Sequence, residues 1–287
     1  MSTRVWLGPE TNPVVAEAVE RGGGEPAETP AAAEAIVWLD WRPRDELTGL
    51  LHPGIRWVQL SSAGVDGWLE QGLIDDERVW TGAQGSYAPD VAEHVVGFLL
   101  AAARRFPQAA RRREWVRARV SASPGRRSGS SAPGASAGRR SPASLEGADG
   151  SLGPDGLDEL LAESAYAVLT APLTPETRGL IGARELDLLG PSGWLINVGR
   201  GPLVVTGDLV SALEEGRIAG TCLDVVDPEP LPAGHPLWTF DNVLITPHVA
   251  NPPEAQWELL ADRVAENVER FAAGYELVGV IDPARGY

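Results

Sequence analysis

The chain has 287 residues, of which 43% are hydrophobic, and a formal net charge of −16. This length suggests two domains, and the apolar content is sufficient to build a core in each. The single cysteine, Cys222, excludes an internal disulfide. The longest apolar run, residues 95–103, is far shorter than the ~20 residues that a membrane helix needs. We therefore expect a cytoplasmic protein with no membrane partner.

Positive charge is concentrated in one part of this acidic chain. All 24 cationic side chains are arginines, and eleven of them lie in residues 104–140. Such a cluster can bind nucleic-acid phosphates. Here it lacks aromatic partners apart from Phe106 and Trp115, and no binding motif surrounds it. We expect no nucleic-acid partner, and we find no candidate metal site.

Short apolar runs alternate with helical patterns along the first 88 residues, which is typical of a parallel α/β sheet. The predicted strands are residues 4–8, 35–41, 55–62 and 78–83, with a helical segment at 12–22. A long helix is predicted at 89–115, because its apolar residues recur at three- and four-residue spacing.

The α/β rhythm returns in the second half of the chain. The predicted strands are residues 165–172, 193–199, 220–226 and 242–248. A helix is predicted at 206–216, with Thr206 as its N-cap and Gly216 at its C-terminal end. The last helix, about 253–273, is amphipathic. The pattern indicates an α/β protein with parallel sheets.

Charged residues follow three predicted strands of the second half. Arg200 lies in a glycine-flanked turn, Glu229 follows the next strand, and His248 ends the last one. Ligands of open α/β sheets bind beyond the carboxyl ends of the strands. Arginine can grip a carboxylate, and histidine can move a proton near neutral pH. Considered separately, each residue could have a structural role. Arg200 could stabilise a turn, Glu229 could lie in a surface turn, and His248 could be a capping residue. Their position at successive strand ends favours a shared catalytic site.

Five motifs in this half occur in the order and spacing of one known family. They are PLTPETRGLI (172–181), INVGRGPLV (196–204), GRIAGTCLDVVDPEPLP (216–232), HPLW (235–238) and NVLITPHVA (242–250). The sequence resembles the D-isomer-specific 2-hydroxyacid dehydrogenases closely over residues 157–252. It resembles them more loosely through LSSAGVDGW (60–68) and APDVAEHVVGFLLAAARR (88–105).

The resemblance implies a fold of two α/β domains. A flavodoxin-like substrate domain would comprise residues 1–88 and 254–287, and a Rossmann-type nucleotide-binding domain would comprise residues 89–253. The family usually has an acidic residue where this chain has Val205. We expect that difference to weaken a local turn without loss of chemistry.

The resemblance also implies a role for each site residue. Arg200 would orient the keto acid, His248 would be the acid/base, and Glu229 would pair with His248. Backbone N–H groups of Ala63 and Gly64 would hold the substrate carboxylate. The cofactor, NAD or NADP, would be lined by Pro172, Thr177, Val198, Gly199, Asp224 and Ala250. The implied partners are a small 2-hydroxy or 2-keto acid and a second copy of the chain in a homodimer.

Residues 118–148 form an atypical low-complexity segment that departs from the family pattern. Residues 120–144 have one branched aliphatic residue, Val120, against eight serines and four glycines. The family places a strand, a G-x-G-x-x-G turn, a helix and a second strand here, and this chain contains no G-x-G-x-x-G. We expect no strand and no packed strand–helix–strand unit in this segment, and hence an incomplete Rossmann-type domain. The pyrophosphate would lose its binding loop.

Two origins of this segment remain open. It is either a genuine insertion or linker, or GC-rich DNA read out of frame, which the clean return of the family pattern at residues 153–164 favours. The function predicted is oxidoreduction of a D-2-hydroxy acid with NAD or NADP. The alternatives are a non-enzymatic binding protein with a dinucleotide fold and an inactive product. The intact Arg200, Glu229 and His248 favour the enzyme.

Overall fold

The computed structural model describes residues 2–42, 45–112, 127–131, 156–252 and 255–287. The chain divides into two compact units, one of residues 1–88 with 251–287 and one of residues 89–250. Each unit contains a five-stranded parallel sheet. The predicted α/β class is therefore confirmed.

The first unit is a doubly wound sheet. Its elements are β1 (Arg4–Gly8), α1 (Pro13–Arg21), β2 (Glu25–Pro26), β3 (Ala35–Trp38), α2 (Asp45–Thr48), β4 (Trp57–Leu60), α3 (Asp66–Glu70) and β5 (Val79–Thr81). The strand order is β2-β1-β3-β4-β5, which is the flavodoxin-like order. Ile36, Trp38 and Leu60 are fully or almost fully buried in its core.

The second unit carries the strands on which the predicted catalytic residues depend. Its elements are α4 (Ala88–Ala103), α5 (Phe106–Arg111), β6 (Arg127–Ser131), α6 (Leu157–Glu163), β7 (Ser164–Leu169), α7 (Ala183–Leu189), β8 (Trp194–Asn197), α8 (Thr206–Glu214), β9 (Gly220–Leu223) and β10 (Val243–Ile245). The strand order is β10-β9-β8-β7-β6. Phe98 of α4 packs with Ile196 and Cys222 of the sheet.

The last helix, α9 (Gln256–Ala273), returns to the first unit and packs against α1. The predicted amphipathic pattern is confirmed, because Leu260, Val264 and Val268 are buried. Within the described ranges, no helix is both long and apolar enough to cross a membrane.

Two helix predictions are wrong in detail. The long helix predicted at 89–115 ends at Ala103, and a separate α5 begins at Phe106. Arg105 between them has a left-handed backbone, with φ of 54°, and Pro107 lies in the first turn of α5, where proline is tolerated. Thr206 is not the N-cap of α8. That position is Val205, which makes no side-chain cap hydrogen bond, whereas the Thr206 hydroxyl donates to the Asp227 carbonyl at 2.8 Å.

The expectation that the low-complexity segment contains no strand is also wrong. β6 lies inside it and pairs in parallel with β7. Strand pairing uses backbone N–H and C=O groups, so a chain without apolar side chains can still extend the sheet along the edge of β7. The rest of residues 118–148 lies outside the described residues, so the absence of a complete strand–helix–strand unit stays a prediction.

Candidate functional site

A buried asparagine shapes the turn that carries Arg200. β8 ends at Asn197, which is 1% exposed. Its amide Nδ2 donates to the Arg200 carbonyl at 2.8 Å, and its Oδ1 accepts from the Gly199 N–H at 3.1 Å. The Arg200 Nη1 donates to the Gly199 carbonyl at 2.9 Å. One side chain therefore holds the backbone of this turn at residues 199 and 200, and the guanidinium bonds to the same turn.

Glu229 and His248 are brought together as expected. The Glu229 Oε1 lies 2.7 Å from His248 Nδ1, and both side chains are partly open to solvent, at 41% and 44% exposure. The hydrogen bond from His248 holds the pKa of the Glu229 carboxyl below its usual value, against the effect of partial burial, and the charge of Arg200 acts in the same direction. All three residues therefore belong to one electrostatic group.

Close backbone packing holds the Arg200 turn against the segment that leads to Glu229. A Cβ built on Gly201 would stand 1.9 Å from the Val226 carbonyl oxygen and 2.8 Å from the Asp227 nitrogen. Only glycine allows this approach, because any side chain would collide with backbone.

Asp224 organises the turn that presents His248. Its carboxylate is 2% exposed and accepts hydrogen bonds from the Thr246 hydroxyl at 2.5 Å, the Val249 N–H at 2.9 Å and the Ala250 N–H at 2.9 Å. The Asp224 carbonyl accepts from the His248 N–H at 2.8 Å. His248 has a left-handed φ of 55°, an unfavourable backbone for a residue other than glycine. Asp224 therefore holds that backbone from two sides.

The remaining predicted cofactor residues lie beyond the carboxyl ends of β7, β8 and β10. The Thr177 hydroxyl donates to the Pro172 carbonyl at 2.7 Å, which closes the loop after β7. The Val198 N–H donates to the Leu169 carbonyl at 3.2 Å, and Gly199 packs against the carbonyls of residues 169 and 171. Pro172, Thr177 and Val198 are partly buried, and Gly199 and Ala250 are buried. They form the rim of the sheet on which Asp224 also lies.

Ala63 and Gly64 belong to the first unit, in the loop between β4 and α3. The loop is held by the Tyr87 hydroxyl, which donates to the Ser61 carbonyl at 2.6 Å, and by the Ala83 N–H, which donates to the Ser62 carbonyl at 2.9 Å. Both residues are partly buried. Within the described residues their N–H groups have no acceptor, so both donors are available for an anion.

Sequence reasoning missed several residues of the site. Asn197, Gly201 and Thr246 stand inside the quoted motifs, but small polar residues and glycines near strand ends are common and were not singled out. His94 lies on α4 and contacts Thr246 at 3.1 Å. No group of three or more possible metal ligands occurs among the described residues.

Comparisons with known proteins identify the family. The chain is 36% identical over 94% of its length, and 95% of the relative's, to a protein of Corynebacterium melassecola described as an uncharacterized protein in the proB 3′ region. A second match is the crystal structure of a D-isomer specific 2-hydroxyacid dehydrogenase from Xanthobacter autotrophicus in complex with NADPH and MES. The match covers 100% of this chain and 99% of the Xanthobacter chain, with a TM-score of 0.79 and 28% identity. Residues 134–250 match the model of the D-isomer specific 2-hydroxyacid dehydrogenase NAD binding domain.

The chain belongs to the D-isomer specific 2-hydroxyacid dehydrogenase family. A glyoxylate reductase of Aeropyrum pernix is 47% identical over 118 residues, which cover 41% of this chain and 35% of that relative. A glyoxylate/hydroxypyruvate reductase of Sinorhizobium meliloti, solved with NADP and sulfate, covers both chains fully with a TM-score of 0.76 and 25% identity. This dehydrogenase is an NAD- or NADP-dependent 2-hydroxyacid oxidoreductase, and the non-enzymatic alternative is not favoured.

Proposed function

We propose that Arg200, Glu229 and His248 form the catalytic group of this dehydrogenase, and that it reduces a small 2-keto acid such as glyoxylate or hydroxypyruvate. The contact of 2.7 Å between His248 Nδ1 and Glu229 Oε1 carries the proposal. The names of the Aeropyrum and Sinorhizobium relatives support the substrate class.

The contact between Glu229 and His248 assigns the imidazole protons. An ionised carboxylate only accepts hydrogen bonds, so His248 Nδ1 carries a proton and Nε2 is the nitrogen that exchanges one. The bound cofactor supplies the hydride that reduces the keto carbon. His248 gives the Nε2 proton to the keto oxygen, and the Glu229 carboxylate stabilises the imidazolium that precedes this transfer.

Arg200 and the loop after β4 are proposed to bind the substrate. Arg200 would orient the keto acid, and the loop would hold its carboxylate. The planar guanidinium of Arg200 can form two parallel hydrogen bonds. The N–H groups of Ala63 and Gly64 are proposed to hold the carboxylate, and this is supported because neither group has an acceptor among the residues that the structure describes. Residues 1–88 and 254–287 would then be the substrate domain, and residues 89–253 the nucleotide-binding domain.

The described residues fit the nicotinamide end of the cofactor better than its phosphates. Asp224 Oδ2 accepts one hydrogen bond, from Ala250, and a carboxylate oxygen can accept a second, such as one from a carboxamide. Pro172, Thr177, Val198 and Gly199 would line the same end. No glycine-rich phosphate loop occurs in the described residues, so we propose weak binding of the pyrophosphate. A cytoplasmic homodimer is the assembly that we propose.

The test is reduction of glyoxylate and hydroxypyruvate at saturating NADH or NADPH by wild type and His248→Asn. Asparagine tolerates the left-handed backbone of residue 248, so the variant removes the proton donor and keeps the turn. We expect kcat to fall by about 10²–10⁴-fold. His235→Asn is the matched control, because the one contact of the His235 side chain among the described residues caps a short helical turn through its Nδ1. Equal turnover by His248→Asn and wild type would remove His248 from this role.

A further inference from the structure

His94 is a partly buried histidine that the proposed chemistry does not use. It lies on α4, whose Phe98 and Ala102 pack against the second sheet. The His94 ring stands edge-on to Phe98, with centroids 4.4 Å apart and an interplanar angle of 74°, and its side chain is 20% exposed. The packing of α4 thus fixes the imidazole at the edge of the sheet where Asp224 follows β9.

The hydrogen bonds of Thr246 determine which atom of His94 carries a proton. The Thr246 hydroxyl lies 2.5 Å from Asp224 Oδ1 and 3.1 Å from His94 Nε2. A hydroxyl has one proton, and the carboxylate can only accept, so that proton goes to Asp224. Thr246 must then accept from His94, which requires a proton on Nε2. The same Nε2 is 3.6 Å from Asp224 Oδ1, so its N–H dipole also faces the carboxylate.

This network reaches the turn that carries His248. Thr246 is two residues before His248, and its carbonyl accepts from the His248 N–H at 3.0 Å. The Asp224 carboxylate binds the two N–H groups that follow His248 in the chain. Hydrogen bonds therefore hold the chain on both sides of His248, at Thr246 before it and at residues 249 and 250 after it. His94 in turn holds the hydroxyl of Thr246.

We propose that His94 is a positioning residue for His248. Its Nε2–H orients Thr246 and Asp224, and these two residues hold the turn in which the His248 ring can meet both Glu229 and the substrate. The inference rests on the proposed role of His248 in proton transfer.

The kinetic test compares His94→Gln with His94→Leu in the full chain at saturating NADPH. The amide Nε2 of glutamine can replace the imidazole Nε2 donor, whereas leucine keeps the bulk and loses the hydrogen bond. We expect His94→Leu to lower kcat about three- to tenfold, as for one lost hydrogen bond, with KM for the keto acid little changed. His94→Gln should recover most of kcat. His52→Leu is the control, since the His52 ring bonds the backbone of residues 30 and 54 in the first unit and, in the described part of the chain, no other group.

A nitrogen NMR experiment on the imidazoles tests the inference without turnover. The chain has four histidines, so single substitutions assign every ring. In its neutral ring, His94 should carry the single proton on Nε2, and His248 should carry it on Nδ1. The His248 ring signals should shift in His94→Leu and return toward wild type in His94→Gln.

The outcomes separate the two proposals. A His94 proton on Nδ1, or His248 signals that are the same in wild type and His94→Leu, would overturn the positioning role. Equal loss of kcat in the glutamine and leucine variants would overturn it as well. A wild-type chain without turnover but with the expected imidazole protonation would contradict the proposed function and leave the His94 contact supported.

Discussion

Gly201→Ala tests whether close backbone packing builds the catalytic group. The new Cβ would stand 1.9 Å from the Val226 oxygen, and real Cβ atoms essentially never approach another atom within 3.0 Å. The Arg200 turn and the Val226–Asp227 backbone must therefore separate by about 1 Å or more. Because both contacts are with backbone, no side-chain rotation relieves them.

The structure sets the size of the expected effect. Overpacking of this kind costs about 1–3 kcal/mol, which lowers Tm by roughly 2–10 °C in a protein of this size. A displacement of ~1 Å between catalytic groups can cost about 10²-fold in rate, so kcat/KM for keto-acid reduction should fall by that order. Thermal unfolding and steady-state kinetics on the same preparation measure both effects.

Gly207→Ala is the matched control. Gly207 lies in α8, and an added Cβ there meets nothing within 4 Å. Alanine in place of a helical glycine should stabilise the protein by about 0.5–1 kcal/mol without changing kcat/KM. If Gly201→Ala kept the Tm and the activity of Gly207→Ala, the packing argument for the site would be refuted.

Four further predictions concern other residues of the second unit and the low-complexity segment. Burial raises the pKa of the Cys222 thiol to about 12, so a disulfide reagent should modify this thiol only as fast as the unit unfolds, and rapid modification of the native protein would contradict its burial. Because the pKa of Glu229 is lowered in the folded state, its ionised form adds stability that is present above its ordinary pKa and lost as pH falls through the lower value. Urea unfolding should therefore find Glu229→Gln less stable than wild type at neutral pH, with the gap closing in acid, and a gap that does not change with pH would refute the hydrogen-bond argument. Asp224→Asn places an amide donor opposite backbone N–H groups and should cost about 1–3 kcal/mol, whereas the exposed Asp187→Asn should change stability by less than about 0.5 kcal/mol. Replacing residues 118–148 with a strand–GxGxxG–helix segment should tighten NADH and NADPH binding by about 10²–10⁴-fold by titration, and equal affinities would show that the natural segment already binds the pyrophosphate.

Four strands of each sheet could be predicted, because buried parallel strands are short apolar runs, whereas the two-residue β2 has no such run. Their carboxyl ends were predicted too long. The predicted strands extend to residues 226 and 248, but the ladder stops at Leu223 and Ile245. The chain turns after each strand, and Asp224 accepts hydrogen bonds from the backbone N–H groups of residues 248–250. At β6 a strand is present where the sequence predicts none. Pairing with β7 uses backbone groups, so it requires no apolar pattern in the side chains.

The contact between Glu229 and His248 could be predicted from the sequence, and the residues that hold their segments could not. Arg200, Glu229 and His248 stand out because each is a polar residue in the segment that follows a buried strand. Asn197 bonds the backbone of residues 199 and 200, which no side-chain pattern marks. Thr246 acts through hydroxyl contacts with residues that are distant in the sequence. His94 looks like one polar position on an amphipathic helix until its contact with Thr246, 152 residues away, is seen.

Isotope transfer during keto-acid reduction tests the central claim most directly. Hydroxypyruvate is incubated with wild type or His248→Asn at saturating nicotinamide cofactor that carries deuterium at its transferable position, and the product is analysed on a chiral column with mass detection. We predict the D isomer of the 2-hydroxy acid with deuterium at C2 from wild type, and a rate lower by about 10²-fold or more from His248→Asn. An L product, a product without deuterium, or equal rates from the two proteins would contradict the account.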